Sequence, residues 1–292
     1  MSGVRKNKRR LKKEIKCFNK VREQYAVTEN LNGQNLACYT HIGTRAYQQD
    51  SFAIPVPELF DNNKCNICVL SDGMGGLEGG EIASRVCVET TITDFYNDAD
   101  KTIPNFLREE IYKIDGLVAN LKDNNGNVLD AGATFIATVF DNEKMYWASV
   151  GDSRIYLIRN NTITAFNEDH NYYKKLKERV RMGEITQVLA DNDKTKDALI
   201  SYIGINGVEL IDMNEEPFVM QENDIILLCS DGLFKSLSEE AIVMIINEFR
   251  ENISIAAKML VYTAVDNRPY GQDNTTVIIY KYNNKKQKEI LL

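Results

Sequence analysis

The chain has 292 residues, 43% hydrophobic and 26% charged, ordinary values for a soluble globular protein able to bury a substantial core. Its net charge of −7 hides an asymmetry: residues 1–22 carry ten Lys/Arg against one Glu, so the rest is −16 and presents no nucleic-acid surface. No apolar run nears the roughly 20 residues of a membrane helix, none at the amino terminus resembles a signal peptide, and six scattered cysteines form no disulfide framework, which together predict a cytoplasmic protein.

In chain order, the basic start comes first. Leu11, Ile15, Phe18, Val21 and Tyr25 recur at spacings of three and four, one face of a helix ringed by Arg and Lys. Two readings stand for residues 1–25: a basic amphipathic helix that touches an acidic membrane surface or a protein, and a frayed, solvated tail or a helix packed on its own domain. Strands are predicted at Leu36 to Ile42 and Asn66 to Leu70, and helices at Glu81 to Tyr96 and Asn105 to Lys122. Pro104 suits the first turn of the second helix and Asn124-Asn125-Gly126 stops it. Thr134 to Phe140, Met145 to Val150, Arg154 to Arg159 and Thr162 to Phe166 read as an antiparallel meander. A polar segment with a helix at Tyr172 to Met182 precedes strands at Glu209 to Met213 and Asp224 to Cys229. Helices at Glu239 to Phe249 and Ser254 to Val265 and a strand at Thr275 to Tyr282 complete an α+β layered pattern. Cys65-Asn66-Ile67-Cys68 lies at a strand, where positions three apart face opposite sides, and reads as structural.

Four aspartates, Asp72, Asp152, Asp231 and Asp273, stand where apolar or small-residue runs give way to glycine or a small polar residue. A buried strand that ends in a carboxylate must aim it at water, a cation or a partner. Convergence of such ends implies a shared cation site. With only His41 and His170 in the chain, that site is rich in oxygen and suits Mg²⁺ or Mn²⁺. Two such ions can acidify a water and stabilise in-line displacement at phosphorus. In Asp72-Gly73-Met74-Gly75-Gly76, glycine allows a tight turn after the strand and a close approach of the Gly73 carbonyl to a metal. The stretch lacks the lysine and spacing of a nucleotide loop.

Arg45-Ala-Tyr-Gln-Gln-Asp50, Ser71-Asp-Gly-Met-Gly-Gly76, Gly132-Ala-Thr134, Gly151-Asp-Ser-Arg154, Cys229-Ser-Asp-Gly-Leu233 and Gly271-Gln-Asp-Asn274 occur in the order found in metal-dependent protein phosphatases of the 2C type. From about Leu36 to Tyr282 the chain resembles that family, in its bacterial form. The resemblance implies a four-layer αββα sandwich, two antiparallel sheets flanked by helix pairs. It places a basic segment at 1–34, the phosphatase domain at 35–283 with a flap at about 168–206, and a polar tail at 284–292. It implies Mn²⁺ or Mg²⁺ as two ions with a weaker third. Asp72 would bridge the two, with the Gly73 carbonyl on one, Asp231 and Asp273 on the other, and Asp50 holding bound waters. Asp152 would belong to the third site, and Arg45 would grip the phosphate.

The implied activity is hydrolysis of phosphoserine or phosphothreonine on proteins by a metal-bridging hydroxide, with no phospho-enzyme, reversing a Ser/Thr kinase. The alternatives are a catalytically silent binding or sensor domain of the same fold and a phosphatase of small phosphate esters. Three positions depart from the family pattern. Gln49 replaces a second acid, Met74 replaces a histidine, and Lys235 stands where the third ion often finds an aspartate, which puts that ion in question. Arg154 reads as a salt-bridge or packing residue, Asp152 also as a turn cap, His170 as a flap surface residue, His41 as a satisfied strand histidine and Trp147 as core. Thr134 and Ser153 lack a neighbouring base and are not nucleophiles.

Overall fold

The computed structural model describes residues 27–31, 34–55, 65–75, 79–97 and 101–283. The strands are β1 (Val27–Leu31), β2 (Gln34–His41), β3 (Asp50–Ala53), β4 (Asn66–Gly75), β5 (Ala131–Ala133), β6 (Phe135–Asp141), β7 (Lys144–Val150), β8 (Arg154–Arg159), β9 (Thr162–Ala165), β10 (Asp212–Met213), β11 (Phe218–Val219), β12 (Ile225–Cys229) and β13 (Thr275–Lys281). The helices are α1 (Gly79–Asn97), α2 (Ile103–Ala119), α3 (Tyr172–Arg181), α4 (Gln187–Asp191), α5 (Asp231–Phe234), α6 (Glu239–Glu248) and α7 (Ile253–Asn267).

One sheet runs β1-β2-β13-β12-β8-β9; the other runs β10-β7-β6-β4-β3, with β11 on β7 and β5 on the end of β4. Every ladder is antiparallel. Period-two alternation sends each central strand into two cores. In β12, Ile226 and Leu228 face the space between the sheets, while Ile225, Leu227 and Cys229 face α6 and α7. In β4, Cys68 and Leu70 face the same inter-sheet space, while Ile67 and Val69 meet α1 and α2. Three buried clusters therefore separate four layers, helix–sheet–sheet–helix. Strands buried on both faces read as unbroken apolar runs, which is why they were legible. Each fully buried Ile or Leu contributes about 1.5–3 kcal/mol over an exposed one.

The helices follow their local chemistry. In α2, Pro104 lies in the first turn and Leu107, Ile111, Ile114 and Val118 are fully buried along one stripe. The helix ends at Ala119, three residues short of Lys122, because the chain turns there into a bridge between Lys122 and Val128. Ser238 caps α6 by accepting the Ala241 N–H, and Asn252 caps α7 by accepting that of Ile255.

Three expectations change. The stretch from Thr134 to Phe166 is not one meander: β6 and β7 pair in one sheet, β8 and β9 in the other, and the chain crosses between them at Gly151–Ser153. The strand expected to stop before Asp72 continues to Gly75, because β5 pairs with residues 73–75. The strand expected at 209–213 contracts to Asp212–Met213. The sequence pattern also gave no sign of β3 or the short helices α4 and α5. Residues 27–31, within the predicted basic segment, pair as β1 along β2, whereas the amphipathic pattern at 11–25 lies outside the described residues. Cys65 and Cys68 pack into different cores, as structural cysteines would. Among the described residues no helix is long and apolar enough to cross a membrane.

Candidate metal centre

The five aspartates reach one end of the sandwich from both sheets. Asp50 opens β3 and is the cross-strand partner of Asp72 in β4. Asp231 opens α5 two residues after β12, Asp273 lies two residues before β13, and Asp152 lies on the crossover between β7 and β8. Asp72 is the hub. Its carboxyl is raised well above the usual carboxylate range, first by loss of water, then by the charges of Asp50, Asp231, Asp152 and Asp273 in that order. Burial likewise pushes Asp50 up to about 7; Thr276 and Ser230 partly offset this, and Asp231 and Asp273 add to it.

Each acid is aimed by its neighbours. The hydroxyls of Ser230 and Thr276 donate to Asp50 Oδ2 at 2.8 and 2.6 Å, while Asp50 Oδ1 is buried with no hydrogen-bond partner. The Asp72 backbone N–H donates to Thr134 Oγ1 at 2.9 Å, and the Thr134 N–H returns a bond to the Asp72 carbonyl. Lys235 Nζ lies 2.5 Å from Asp231 Oδ2 and 3.9 Å from Asp152 Oδ2, leaving Asp231 Oδ1 buried and unpartnered. Arg45 NH2 pairs with Asp273 Oδ2 at 2.6 Å. Its loop is pinned by Asn274, whose Nδ2 donates to the Ile42 and Tyr47 carbonyls and whose Oδ1 accepts the Gln49 N–H.

The glycine at position 73 has a reason other than the expected turn. A Cβ there would lie 2.0 Å from the Gly80 carbonyl oxygen, so only glycine lets β4 and the start of α1 touch. On the opposite rim, Gly43 has φ +64°, and a Cβ would meet the Asp273 carbonyl at 2.4 Å.

Among the described residues no three His, Cys, Asp or Glu side chains stand in a formed coordination set; Arg45 and Lys235 are the counter-ions in this arrangement. The donors nevertheless suit a hard cation. They are all oxygen, two buried carboxylate oxygens have no partner, and the acids raise one another's affinity for protons. Asp50, Asp72, Asp231, Asp273 and the Gly73 carbonyl are the groups that would hold such ions.

Other predicted roles sort themselves. Arg154 donates twice to Asp169 at 2.9 and 2.8 Å and to Tyr156 Oη, with its guanidinium 3.7 Å from the Phe234 ring centre, so it is a packed ion-pair residue. Thr134 and Ser153 hydroxyls bond each other at 2.8 Å. His41 Nδ1 accepts the Gly43 N–H, and Trp147 is buried between the sheets. His170 is a correction: it is fully buried, with Nδ1 accepting the Gly151 N–H and Nε2 3.3 Å from Asp212 Oδ1. It fastens the flap base to the crossover that carries Asp152.

Sequence reasoning missed the positioning residues. Ser230, Gln272 and Asn274 lie inside the quoted motifs, and their polarity at strand ends was the available signal. Gln272 Nε2 donates to the Gly232 carbonyl and to Thr275 Oγ1, locking the two motifs together. Asp115 was visible only as an acid within the apolar stripe of α2. Its carboxylate accepts four backbone N–H groups, from Gly204, Asn206, Gly207 and Val208, at 2.6–3.2 Å. That loop follows Ile203, which bridges Ala133 beside Gly73.

Comparison with known proteins gives the family and the fold. Residues 38–260 match the profile of the family Protein phosphatase 2C. The serine/threonine phosphatase stp of Listeria welshimeri is 32% identical over 228 residues, 76% of this chain and 87% of that protein. The solved serine/threonine phosphatase of S. agalactiae superposes with a TM-score of 0.73 at 23% identity, covering 85% of this chain and 98% of the other. The catalytic domain of the phosphatase PstP, solved with two manganese ions, gives 0.67 at 24% identity over 85% and 97%. The chain belongs to the protein phosphatase 2C family, in its bacterial-like branch.

Proposed function

We propose that the protein removes phosphate from phosphoserine and phosphothreonine of protein substrates in the cytoplasm, opposing a Ser/Thr kinase, with two Mn²⁺ or Mg²⁺ ions. The observation that carries this reading is the convergence of Asp50, Asp72, Asp231 and Asp273, from both sheets, behind an exposed arginine. Bound among those carboxylates, the ions would supply positive charge and lower the pKa of a water for in-line displacement at phosphorus.

The residues define the rest. Arg45 has a side chain 57% exposed and spends one amino group on Asp273, leaving N–H groups for the phosphoryl oxygens. Asp50, fixed at Oδ2, has Oδ1 free to hold a bound water or pass a proton. Thr134 and Ser153 are buried and bonded to each other, so water, not a side chain, is the attacking group. Tyr202 of the flap packs on Gly132, beside Met74, which brings the flap against the strand end that carries Gly73. The basic residues 1–25 are assigned a separate contact, to an acidic surface or a protein partner.

Phosphate release from a phosphothreonine peptide tests the reading, with Mn²⁺, with EDTA and with Asp231→Asn. Release that requires metal and is lost in the variant supports it. A folded protein inert under every divalent ion would overturn it in favour of a silent binding domain.

A further inference from the structure

Among the described residues Lys235 is the one lysine drawn into the carboxylate cluster. It caps α5, its backbone N–H bonds the Asp231 carbonyl at 3.0 Å, and this places its ammonium one turn beyond Asp231 on the same side. The ammonium takes Asp231 Oδ2 at 2.5 Å and faces Asp152 Oδ2 at 3.9 Å, leaving Asp231 Oδ1 as the free, buried oxygen. The carboxylate is thereby divided: one oxygen faces a fixed cation, the other is open to a mobile one. Asp152, 6% exposed, has no other ammonium or guanidinium paired with it among the described residues, because the neighbouring Arg154 is committed to Asp169.

We propose that Lys235 is a built-in counter-ion that fills the Asp152–Asp231 corner, so that Asp152 is not a metal ligand in this chain and the centre holds two divalent ions and no third. This rests on the two-metal reading above. The charges fit it. Five aspartates against Arg45 and Lys235 leave three negative charges; two divalent ions bring the set to within one charge of neutrality, whereas a third would leave it at +3. An ammonium within about 4 Å of a carboxylate pair also repels a divalent ion from the same spot, strongly so in a desolvated site.

The test is Mn²⁺ binding to the metal-stripped full chain, by titration calorimetry and by elemental analysis after desalting. Wild type should bind two ions, and Asp152→Asn should leave that number unchanged. Lys235→Asp should add a third, weaker ion. Lys235→Met removes the charge without adding a ligand and should tighten the ion on Asp231 by about ten-fold; cooperative melting of each variant verifies folding. Three ions in wild type, falling to two in Asp152→Asn, would overturn the proposal while leaving the two-metal reading intact. So would Lys235 variants, folded and unchanged in both number and affinity. A wild type that binds no Mn²⁺ would overturn the metal reading and this proposal with it.

Discussion

Asp115 and Asp50 are both nearly closed off from solvent, at 3% and 7% exposure, yet the fold treats their carboxylates in opposite ways. Asp115 receives four backbone N–H groups from one loop, two on each oxygen, and stands apart from the acidic cluster. Asp50 receives two hydroxyls on one oxygen and none on the other, and it faces Asp72 across the ladder. A carboxylate met by the ends of peptide dipoles is satisfied within the chain and serves as an anchor. One left half-bonded among like charges is unfinished without an external cation.

Breaking the unfinished set should have the largest effect. Asp72→Asn removes the hub, and turnover of the phosphothreonine peptide should fall about a thousand-fold, the several kcal/mol a metal supplies to such a transition state. Its melting point in EDTA should rise at neutral pH, because the fold no longer has to keep a buried acid that burial and four neighbouring aspartates hold away from its ordinary ionisation. Unchanged turnover, or a lower metal-free melting point, would sink this account.

Asp115→Ala should do the reverse. Four N–H groups lose their acceptor at a cost of about 3–4 kcal/mol, seen as a melting point roughly 8–12 °C lower with or without metal. The comparison then sharpens in one titration. Mn²⁺ at a hundred times its dissociation constant should stabilise wild type by about 2.7 kcal/mol for each ion bound. Asp115→Ala should keep that increment and Asp72→Asn should lose most of it.

Glu110 supplies an intermediate case, a buried acid of α2 with Oε1 unpartnered. Burial, and then the charge of Asp94, push it up to about 7 from an ordinary value of 4.5. The folded chain therefore holds this proton more tightly than the unfolded one. Its contribution is fully present below about pH 4.5 and is lost as pH rises through 7. Glu110→Gln should thus gain on the order of 1–3 kcal/mol relative to wild type at pH 8 and almost nothing at pH 4.5; equal gains at both would refute the cause given. The smallest effect is expected for Arg154→Lys. Loss of the paired bonds to Asp169 and of the Phe234 contact should cost about 1 kcal/mol in urea unfolding, with KM unaltered.

These contrasts mark where the sequence was readable. Ile225 to Cys229 announced itself because both faces of β12 are buried, and α2 because its apolar stripe recurs with helical spacing. The gathering of the aspartates was legible because each closes or opens an apolar run. Partnership was not: hydrophobic period gives a strand its faces but not its sheet, so the crossing at Gly151–Ser153 was hidden, and a meander took its place. Asp115 carried a local sign, an acid in an apolar stripe, but its partners lie about ninety residues away. His170 was misplaced on the surface for the same reason, since nothing near it in the chain reveals Asp212.

The ladder that carries Asp50 and Asp72 belongs to one sheet, whereas Asp231 and Asp273 flank strands of the other. Closing the sandwich therefore drives two like-charged rims together, and that repulsion opposes the last stage of folding. Divalent ions bound by both rims would act as a clasp between halves of the molecule. A clasp formed after the docking barrier is crossed slows its reopening more than it speeds its closing. Mn²⁺ should accordingly lengthen the unfolding half-life far more than it shortens refolding, so that the catalytic centre also sets how long the molecule stays shut.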